Sequence, residues 1–490
     1  MVETRPPVPG IDKPRPLTTI GAPLKTALLL PPLLAVCASA AFAARPNLIL
    51  VLADDLGYGE IGSQGQRLIQ TPRLDRMAAE GIRLPQFYAG STVCAPSRSV
   101  LMTGRHAGHT RVRGNARGNP VSQKLLAEDV TVAETLRDAG YATGLVGKWG
   151  LGLEGDEGHP NLQGFGYFFG FINQTHAHNH YPDFLWRNTE RVSLPNDLVP
   201  VDGTVGAGYA TKPVAYADDL FFDEAASFVE RNRDRPFFLM LSLTVPHANN
   251  ERARMLGDGQ EVPDYGPYAA KPWPVPQRGQ AAMITRMDEK IGRLLDQLQR
   301  LGLDENTLVV FSSDNGPHRE GGPEFDPEFF DANGPFRGIK RDLTDGGIRV
   351  PFIARWPGRI ASGAVSGHVA YLGDLMATFA EAAGTTAPSA TDSLSLLPTL
   401  LGQGTQAKHD HLYWEFHEKG PAQAVLLEGR WKGVRPAPPE PVQLYDLAID
   451  PGELTDVAAR HPDLAARMRD LMRTAHVPNE HWRITETATP

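Results

Sequence analysis

Apolar runs of strand length alternate with helical patterns along most of this chain. The runs are "RPNLILVLADD", "ATGLVGKWG", "PFFLMLSLTVPH", "TLVVFSSDNG" and "VPFIARWPG". Continuous apolar runs are typical of parallel strands that are buried on both faces. Helical segments such as "TVAETLRDAGY" separate them. The alternation therefore predicts an α/β fold in which helices sandwich a large, mostly parallel sheet.

Polar side chains collect where these predicted strands end, namely at Asp54, Asp55, Lys148, His247, Asp314 and Asn315. Ligands of open α/β sheets bind at the carboxyl ends of the strands. One pair of aspartates alone is read as a solvated turn, but two acidic pairs at one sheet edge would repel each other without a cation. Carboxylate and amide oxygens suit Ca²⁺ or Mg²⁺ better than zinc, so the two pairs predict a metal site.

The pattern of predicted strands and helices divides the 490-residue chain into a large and a small part. Residues 44–402 hold the alternating pattern and are predicted to form the main domain. Within them, residues 155–212 are rich in His, Asn, Pro and Gly and are interpreted as an insertion with binding loops. Residues 403–490 contain strand-like "HLYWEFHEKGPAQAVLLEGRWKGVRP" and then a helical pattern, which predict a smaller C-terminal α+β domain.

Residues 1–43 have the features of a secretory signal peptide. Lys25 precedes the apolar run "ALLLPPLLAVCASAAFA", whose small residues suit cleavage after Ala43. An uncleaved anchor is the alternative, although the run is short and broken for a membrane span. Lipoprotein cleavage at Cys37 is less favoured because Val36 fits poorly before it. The expected location is the periplasm or the cell exterior, without a stable membrane span.

The charge of the chain argues against nucleic-acid binding, and its cysteine content argues against an internal disulfide. The formal net charge is −9 and no basic stripe is present, which argues against nucleic acid as a partner. The chain has two cysteines, and removal of the signal peptide would leave Cys94 alone. An exported chain with one cysteine forms no internal disulfide.

Cys94 lies in "STVCAPSRSVLMTGRH", at a predicted helix entry with Pro96 near the first turn. Backbone N–H groups at such an entry attract anions, and Arg98 adds a planar guanidinium. The residues alone allow two interpretations, a buried apolar side chain or a low-pKa thiol nucleophile. Neither suits the neighbourhood of an oxygen-seeking cation.

The motifs, taken in order, resemble the type I sulfatases of the alkaline-phosphatase-like superfamily. The signature of that family, Cys-x-Pro-Ser-Arg followed by Thr-Gly-Arg, corresponds here to residues 94–98 and 103–105. The likeness continues through "NLILVLADDLGYG", "GYATGLVGKWG", "VPHAN", "SSDNGPH" and "FRGIKRDLTDGGIRVPFIARWPG". It implies the alkaline-phosphatase-like fold and hydrolysis of sulfate esters.

The resemblance also implies cofactors. A formylglycine-generating enzyme would convert Cys94 to formylglycine, whose aldehyde hydrates to a geminal diol, and one hydroxyl of the diol would attack sulfur. The implied ligands of Ca²⁺, with Mg²⁺ as the alternative ion, are Asp54, Asp55, Asp314, Asn315 and the modified Cys94.

Four further residues match family positions. Arg98 corresponds to the residue that holds the diol and the sulfate, and Lys148 and Lys340 correspond to sulfate-binding lysines. His247 corresponds to the histidine beside the leaving oxygen and is a candidate proton donor.

Position 150 departs from the family pattern. Many members have a histidine after Gly-Lys-Trp, where this chain has Gly150. Either water takes the role of that histidine or a histidine from elsewhere does, and the predicted insertion offers His176, His178 and His180. We predict that His178 takes the role, by contact with the substrate or as a proton relay.

The predicted function is that of an exported, calcium-dependent sulfatase. A sulfated carbohydrate is favoured over an aryl sulfate, because "HAHNHYPDFLWRN" and "LYWEFHEKG" resemble stretches of bacterial sulfatases that act on sulfated sugars. Trp186 and Trp414 either stack on sugar faces or belong to the core. A phosphonate or phosphate monoester hydrolase and a non-catalytic glycan-binding relative with unmodified Cys94 are the alternatives.

Overall fold

Strands and helices follow one another along residues 45–115, 120–201, 203–418 and 420–484, which are the residues that the computed structural model describes. The strands are β1 (Asn47–Asp54), β2 (Ile82–Arg83), β3 (Phe87–Tyr88), β4 (Ala142–Lys148), β5 (Tyr167–Phe171), β6 (Phe184–Arg187), β7 (Glu190–Ser193), β8 (Asp197–Pro200), β9 (Gly208–Lys212), β10 (Phe237–Pro246), β11 (Thr307–Ser313), β12 (Phe352–Arg355), β13 (Ala364–Val365), β14 (Ala370–Tyr371), β15 (His411–Phe416), β16 (Ala422–Leu427), β17 (Trp431–Arg435) and β18 (Gln443–Asp446). The α-helices are α1 (Pro72–Glu80), α2 (Cys94–Thr103), α3 (Val132–Asp138), α4 (Ala217–Asn232), α5 (Asn250–Leu256), α6 (Val275–Arg300), α7 (Asp345–Ile348), α8 (Leu375–Ala382), α9 (Leu397–Leu401) and α10 (Pro462–Ala475).

Ten of these strands form one sheet in the order β13-β2-β12-β11-β1-β10-β4-β5-β6-β7. The neighbours from β11 to β5 run parallel, which confirms the predicted mostly parallel sheet. The run that forms β12 differs from the pattern, since it pairs antiparallel with β11. After β11 the chain stays at the carboxyl edge of the sheet and enters β12 from that same edge, so β12 runs back.

Both faces of the sheet are buried, as the apolar runs predict. In β1, Leu48, Leu50 and Leu52 join a core cluster with side chains of α2, α3 and α8. The alternating residues Ile49 and Val51 join a second cluster with side chains of α1, α4 and α6. Burial of one such side chain contributes about 1.5–3 kcal/mol. The two clusters hold the strand ends, and the polar residues that follow them, in fixed positions.

Residues 155–212 contain regular structure as well as loops. Strands β5, β6 and β7 extend the main sheet, while β8 and β9 form a separate antiparallel pair. Two short 3-10 turns also lie in this segment, and one of them, His176–His178, carries the predicted histidine. The segment therefore connects the edge of the sheet with the region above its carboxyl ends.

The C-terminal part forms a four-stranded antiparallel sheet, β15-β16-β17-β18, followed by α10. Val425 and Leu444 pack with Met468 and Met472 of α10 on one face. On the other face, Trp414 and its neighbours pack against side chains of β3 and α2. This arrangement confirms the predicted smaller C-terminal α+β sheet region.

The predicted signal peptide, residues 1–43, lies outside the described residues. Among the helices that are described, none combines the length and the apolar character that crossing a bilayer requires.

Candidate active site

The two acidic pairs meet at the carboxyl edge of the sheet. Strands β1 and β11 are parallel and in register, with Ala53 beside Ser313, so the residues that follow them are neighbours. The backbone N–H of Asp55 donates to Oδ1 of Asp314 at 3.1 Å. Nδ2 of Asn315 donates to Oδ1 of Asp55 at 2.7 Å. Sequence-distant carboxylates therefore share one buried site.

Cys94 is the first residue of α2, and its side chain points at these carboxylates. Its Sγ lies 3.3 Å from Oδ1 of Asp54 and 3.8 Å from Oδ1 of Asp55. Burial, together with the negative charge of Asp54, raises the pKa of Cys94 well above its usual value. The unmodified thiol thus stays protonated, which argues against its use as a thiolate nucleophile.

The donor set fits a hard divalent cation. Oδ1 of Asn315 is buried and accepts no hydrogen bond from the described residues, so it is free to bind an ion. Single side-chain ligand atoms of Asp54, Asp55, Cys94 and His247 lie within 4.8 Å of one another. Burial and the neighbouring Asp54 raise the pKa of Asp314 to about 7, although Arg98 opposes this. A cation in this place would relieve the same repulsion that favours the proton.

Two buried cations pair with the inner side of this carboxylate group. Nε and Nη2 of Arg98 donate to Oδ2 of Asp314 at 3.0 and 2.8 Å. Nζ of Lys148 lies 2.6 Å from Oδ2 of Asp54. Burial would raise the pKa of Asp54, but Lys148 and Arg98 contribute to holding it well below its usual range. Asp54 is therefore ionised at neutral pH.

Ser242 in β10 fixes the arginine, and sequence reasoning missed it. The Arg98 guanidinium donates to the hydroxyl of Ser242 and to the carbonyl oxygen of Lys148. The same hydroxyl donates to that carbonyl at 2.6 Å. A single serine inside the apolar run "FFLMLSLTVP" was the available signal, because a buried hydroxyl needs partners.

Lys340 pairs with the outer side of the carboxylate group. Its Nζ lies 2.8 Å from Oδ2 of Asp55, 2.8 Å from Oε2 of Glu320 and 3.0 Å from Nε2 of His247. Glu320 in turn accepts from the guanidinium of Arg341. Glu320 was not predicted, because it lies in a loop where nothing distinguishes it from a surface carboxylate.

His247 is held in one tautomer. Its Nδ1 lies 2.6 Å from the carbonyl oxygen of Ala248, so we assign the proton to Nδ1, and Nε2 accepts from Lys340. Burial and the positive charge of Lys340 lower the pKa of His247 well below its usual value. His247 is thus a neutral imidazole whose unprotonated nitrogen faces the lysine.

His178 lies beside His247. The two imidazole rings stack with centroids 5.0 Å apart and planes 12° apart. Nδ1 of His178 lies 3.1 Å from Oε2 of Glu251. Its neighbour His180 places Nε2 2.8 Å from the carbonyl oxygen of His247. The contacts of His178 in the described structure are with His247 and Glu251, and its role remains a prediction.

The two tryptophans considered as sugar platforms lie in the interior. Trp186 and Trp414 are 5% and 1% exposed. The indole N–H of Trp414 donates to the carbonyl oxygen of Ala89 at 2.9 Å. Both side chains belong to the core, and neither offers a face to a ligand.

One edge of the parallel sheet thus carries carboxylates, a guanidinium and two ammonium groups, a set of charges suited to a metal ion and an anionic ligand. The chain belongs to the sulfatase family, whose model matches residues 46–385. A second model, described as N-sulphoglucosamine sulphohydrolase, C-terminal, matches residues 337–476.

Named relatives agree with this assignment. The chain is 35% identical to human N-acetylgalactosamine-6-sulfatase over 374 residues, which are 73% of this chain and 66% of that protein, just under two thirds of its length. It is 31% identical to human arylsulfatase A over 493 residues, covering 90% of this chain and 89% of that protein. A crystal structure of Ps i-CgsB in complex with k-i-k-neocarrahexaose superposes with a TM-score of 0.73 at 26% identity, covering 88% of this chain and 93% of that one.

Proposed function

We propose that this chain is an exported sulfatase that hydrolyses a sulfate monoester on a carbohydrate. In this proposal Cys94 is converted to formylglycine, and Asp54, Asp55, Asp314 and Asn315 hold a calcium ion. The observation that carries the proposal is the position of Sγ at the start of α2, 3.3 and 3.8 Å from two carboxylates. The sugar sulfatase among the relatives and the neocarrahexaose bound to Ps i-CgsB support the substrate class.

The buried thiol of Cys94 is a poor nucleophile, because its raised pKa keeps it protonated. In the proposal, conversion to formylglycine replaces this thiol with a hydroxyl nucleophile. Formylglycine would supply a hydroxyl group as the nucleophile, and a calcium ion held by Asp54, Asp55, Asp314 and Asn315 would ease the loss of its proton. The chain contributes position, because the first turn of α2 holds residue 94 against Asp54 and Asp55. A nucleophile fixed in this way needs little reorganisation to reach sulfur.

Arg98, Lys148 and Lys340 supply positive charge for the sulfate group. The chain as a whole is negative, at −9, so attraction of an anionic ester must come from this local cluster. All three side chains are at least 95% buried. In a buried site that excludes water, fixed charges stabilise the developing negative charge of a transition state more strongly than they would in water.

His247 is the proposed proton donor to the departing sugar oxygen. Its Nε2 carries no proton while it accepts from Lys340 at 3.0 Å. A sulfate ester would draw Lys340 towards its own oxygens and place negative charge beside the ring. Both changes raise the pKa of His247, so the imidazole gains its proton when the substrate is bound.

The test begins with the modification. The protein is produced together with a formylglycine-generating enzyme, and the tryptic peptide that contains residue 94 is weighed. Conversion replaces the CH₂SH group by an aldehyde and lowers the peptide mass accordingly. Converted protein should release sulfate from 6-sulfated N-acetylgalactosamine, whereas the Cys94→Ala variant should release none.

Matched esters separate this function from its alternatives. If kcat/KM for a phosphate monoester exceeds that for the corresponding sulfate, the phosphohydrolase alternative replaces the proposal. If the peptide keeps its thiol while the protein still binds the sulfated sugar, the glycan-binding alternative replaces it.

Export is tested on the mature N-terminus. Expression of the full chain in a bacterium should yield a periplasmic or secreted protein that begins at Ala44. A lipid-modified Cys37 in the membrane fraction would instead establish the anchored form.

A further inference from the structure

Gly150 leaves room beside the site that another residue fills. It lies two residues after Lys148 and has φ = 82°, and its N–H donates to the carbonyl oxygen of Ile172 at 3.1 Å. A Cβ atom on Gly150 would lie 2.6 Å from Oε1 of Gln174, well inside van der Waals contact. The carboxamide of Gln174 thus occupies the space that a side chain at position 150 would take.

Oε1 of Gln174 is an acceptor without a donor. The atom is buried, yet it accepts no hydrogen bond from the described residues. A buried polar atom that stays unpaired costs about 1–3 kcal/mol. Such an atom beside a functional site is explained when a ligand supplies the missing donor.

The turn that carries Gln174 is ordered by the side chain of Asn173. Oδ1 of Asn173 accepts from the N–H groups of Thr175 and His176 at 2.8 and 3.1 Å, which fixes the turn around Gln174. The same turn continues into His178, whose ring stacks on His247. Gln174 therefore lies in an ordered loop that leads to the histidine stacked on His247, and its Oε1 is buried.

We propose that Oε1 of Gln174 accepts a hydrogen bond from a hydroxyl group of the reacting species. This inference rests on the proposed function. A sulfate ester offers only acceptor oxygens, so the donor cannot be the sulfate itself. Two hydroxyl sources remain, a sugar hydroxyl beside the ester or a hydroxyl of the hydrated residue 94. Gln174, and not His178, then fills the gap left by Gly150.

Gln174→Met tests the hydrogen bond, since methionine keeps the volume and removes the acceptor. The control is Gln299→Met at the exposed end of α6. kcat and KM are measured on 6-sulfated N-acetylgalactosamine and on an aryl sulfate that lacks a neighbouring hydroxyl. Binding of the same sugar is measured by calorimetry in the inactive Cys94→Ala background. Thermal midpoints check that each variant folds.

A sugar hydroxyl as donor predicts a loss of about tenfold in kcat/KM for the sugar alone, with similarly weakened binding in the Cys94→Ala background. A hydroxyl of residue 94 predicts equal losses on both substrates and unchanged binding in that background.

The inference is overturned if Gln174→Met matches the Gln299→Met control in both activities and in binding. Failure of the proposed function looks different. In that case the wild-type protein with converted residue 94 releases no sulfate, while the binding measurement still reports whether Gln174 contacts the sugar.

Discussion

The inner and outer halves of the candidate site differ in how far their charged side chains are exposed to solvent. The inner half consists of Asp54, Cys94, Arg98, Lys148 and Asp314, and its charged side chains are at most 1% exposed. The outer half consists of Asp55, His247, Glu320 and Lys340, and it continues to Arg341. The side chains of Glu320 and Arg341 are 17% and 24% exposed.

This difference separates two tasks. In the inner half each charge is balanced by a fixed partner inside the sheet, so its geometry cannot adjust without exposing an unpaired buried ion. In the outer half Lys340 contacts Asp55, Glu320 and His247 at similar distances and can exchange partners. In the proposed function, the inner half would therefore hold the reacting groups in place, while the outer half would adjust to the bound ester.

The largest effect is expected from Lys148→Met in the inner half. The variant keeps the packing of the stem but leaves the buried carboxylate of Asp54 without its partner at 2.6 Å. The free energy of unfolding should fall by about 3–5 kcal/mol in chelator, and sulfate release should be lost. Urea denaturation with and without Ca²⁺ measures the change. Partial rescue by Ca²⁺ would support the metal site.

Lys124→Met is the matched control, because Lys124 pairs with Glu157 at 3.2 Å on the surface. Its loss should be below about 1 kcal/mol. Equal losses in the two variants would contradict the comparison, because the buried ion pair would then contribute no more stability than the surface pair.

The next effect is expected from Lys340→Met in the outer half. Burial and Lys340 together keep His247 neutral, so removal of the lysine lets the imidazole take a proton and pair with Asp55, 3.4 Å away. Stability should therefore fall by only about 1–2 kcal/mol. kcat should still fall by about 10²–10³, because the positive charge that Lys340 is proposed to place beside the sulfate is lost. A stability loss as large as that of Lys148→Met would contradict the comparison.

Much of the inner half could be predicted from the sequence. Its residues lie either at the carboxyl ends of predicted parallel strands or in the Cys-x-Pro-Ser-Arg signature. Asp54, Asp314 and Lys148 directly follow or end apolar runs, and parallel strands bring such positions together. Ser242 escaped prediction because its importance depends on which guanidinium lies above it. A strand pattern gives no information on that.

In the outer half, Asp55, His247 and Lys340 were predicted from their motifs, whereas Glu320 was not. Glu320 and Gln174 lie in loops, and their positions depend on where the chain returns rather than on local pattern. In the inference drawn above, Gln174 matters because Gly150, two residues after the end of β4, lacks a Cβ that would occupy the same space. His178 was predicted as a substrate contact or proton relay, and its stacking on His247 could not be read from the sequence.

A smaller effect concerns pH and Glu320. Burial opposes its ionisation, but Lys340 and Arg341 contribute to holding the pKa of Glu320 well below the ordinary 4.5. The folded state therefore binds fewer protons than the unfolded state, so the stabilisation is complete above pH 4.5 and is lost as the pH falls below it. The wild-type protein should lose more stability than Glu320→Gln between about pH 5 and pH 3. Parallel losses in denaturation series at these pH values would contradict this.

The smallest effect is expected at His178, which lies in the loop after β5 and stacks on His247 of the outer half. His178→Ala removes the ring that stacks on His247 and should slow turnover by about tenfold, while Ca²⁺ binding stays intact. His178→Phe keeps a ring there but has no proton to transfer. If His178 acts by holding His247 in place, the phenylalanine variant restores most of the turnover. If it is a proton relay, as the sequence suggests, both variants are equally slow and the pH profile of kcat changes. Wild-type turnover in the alanine variant would exclude both roles and leave Gln174 as the contribution of this loop to the site.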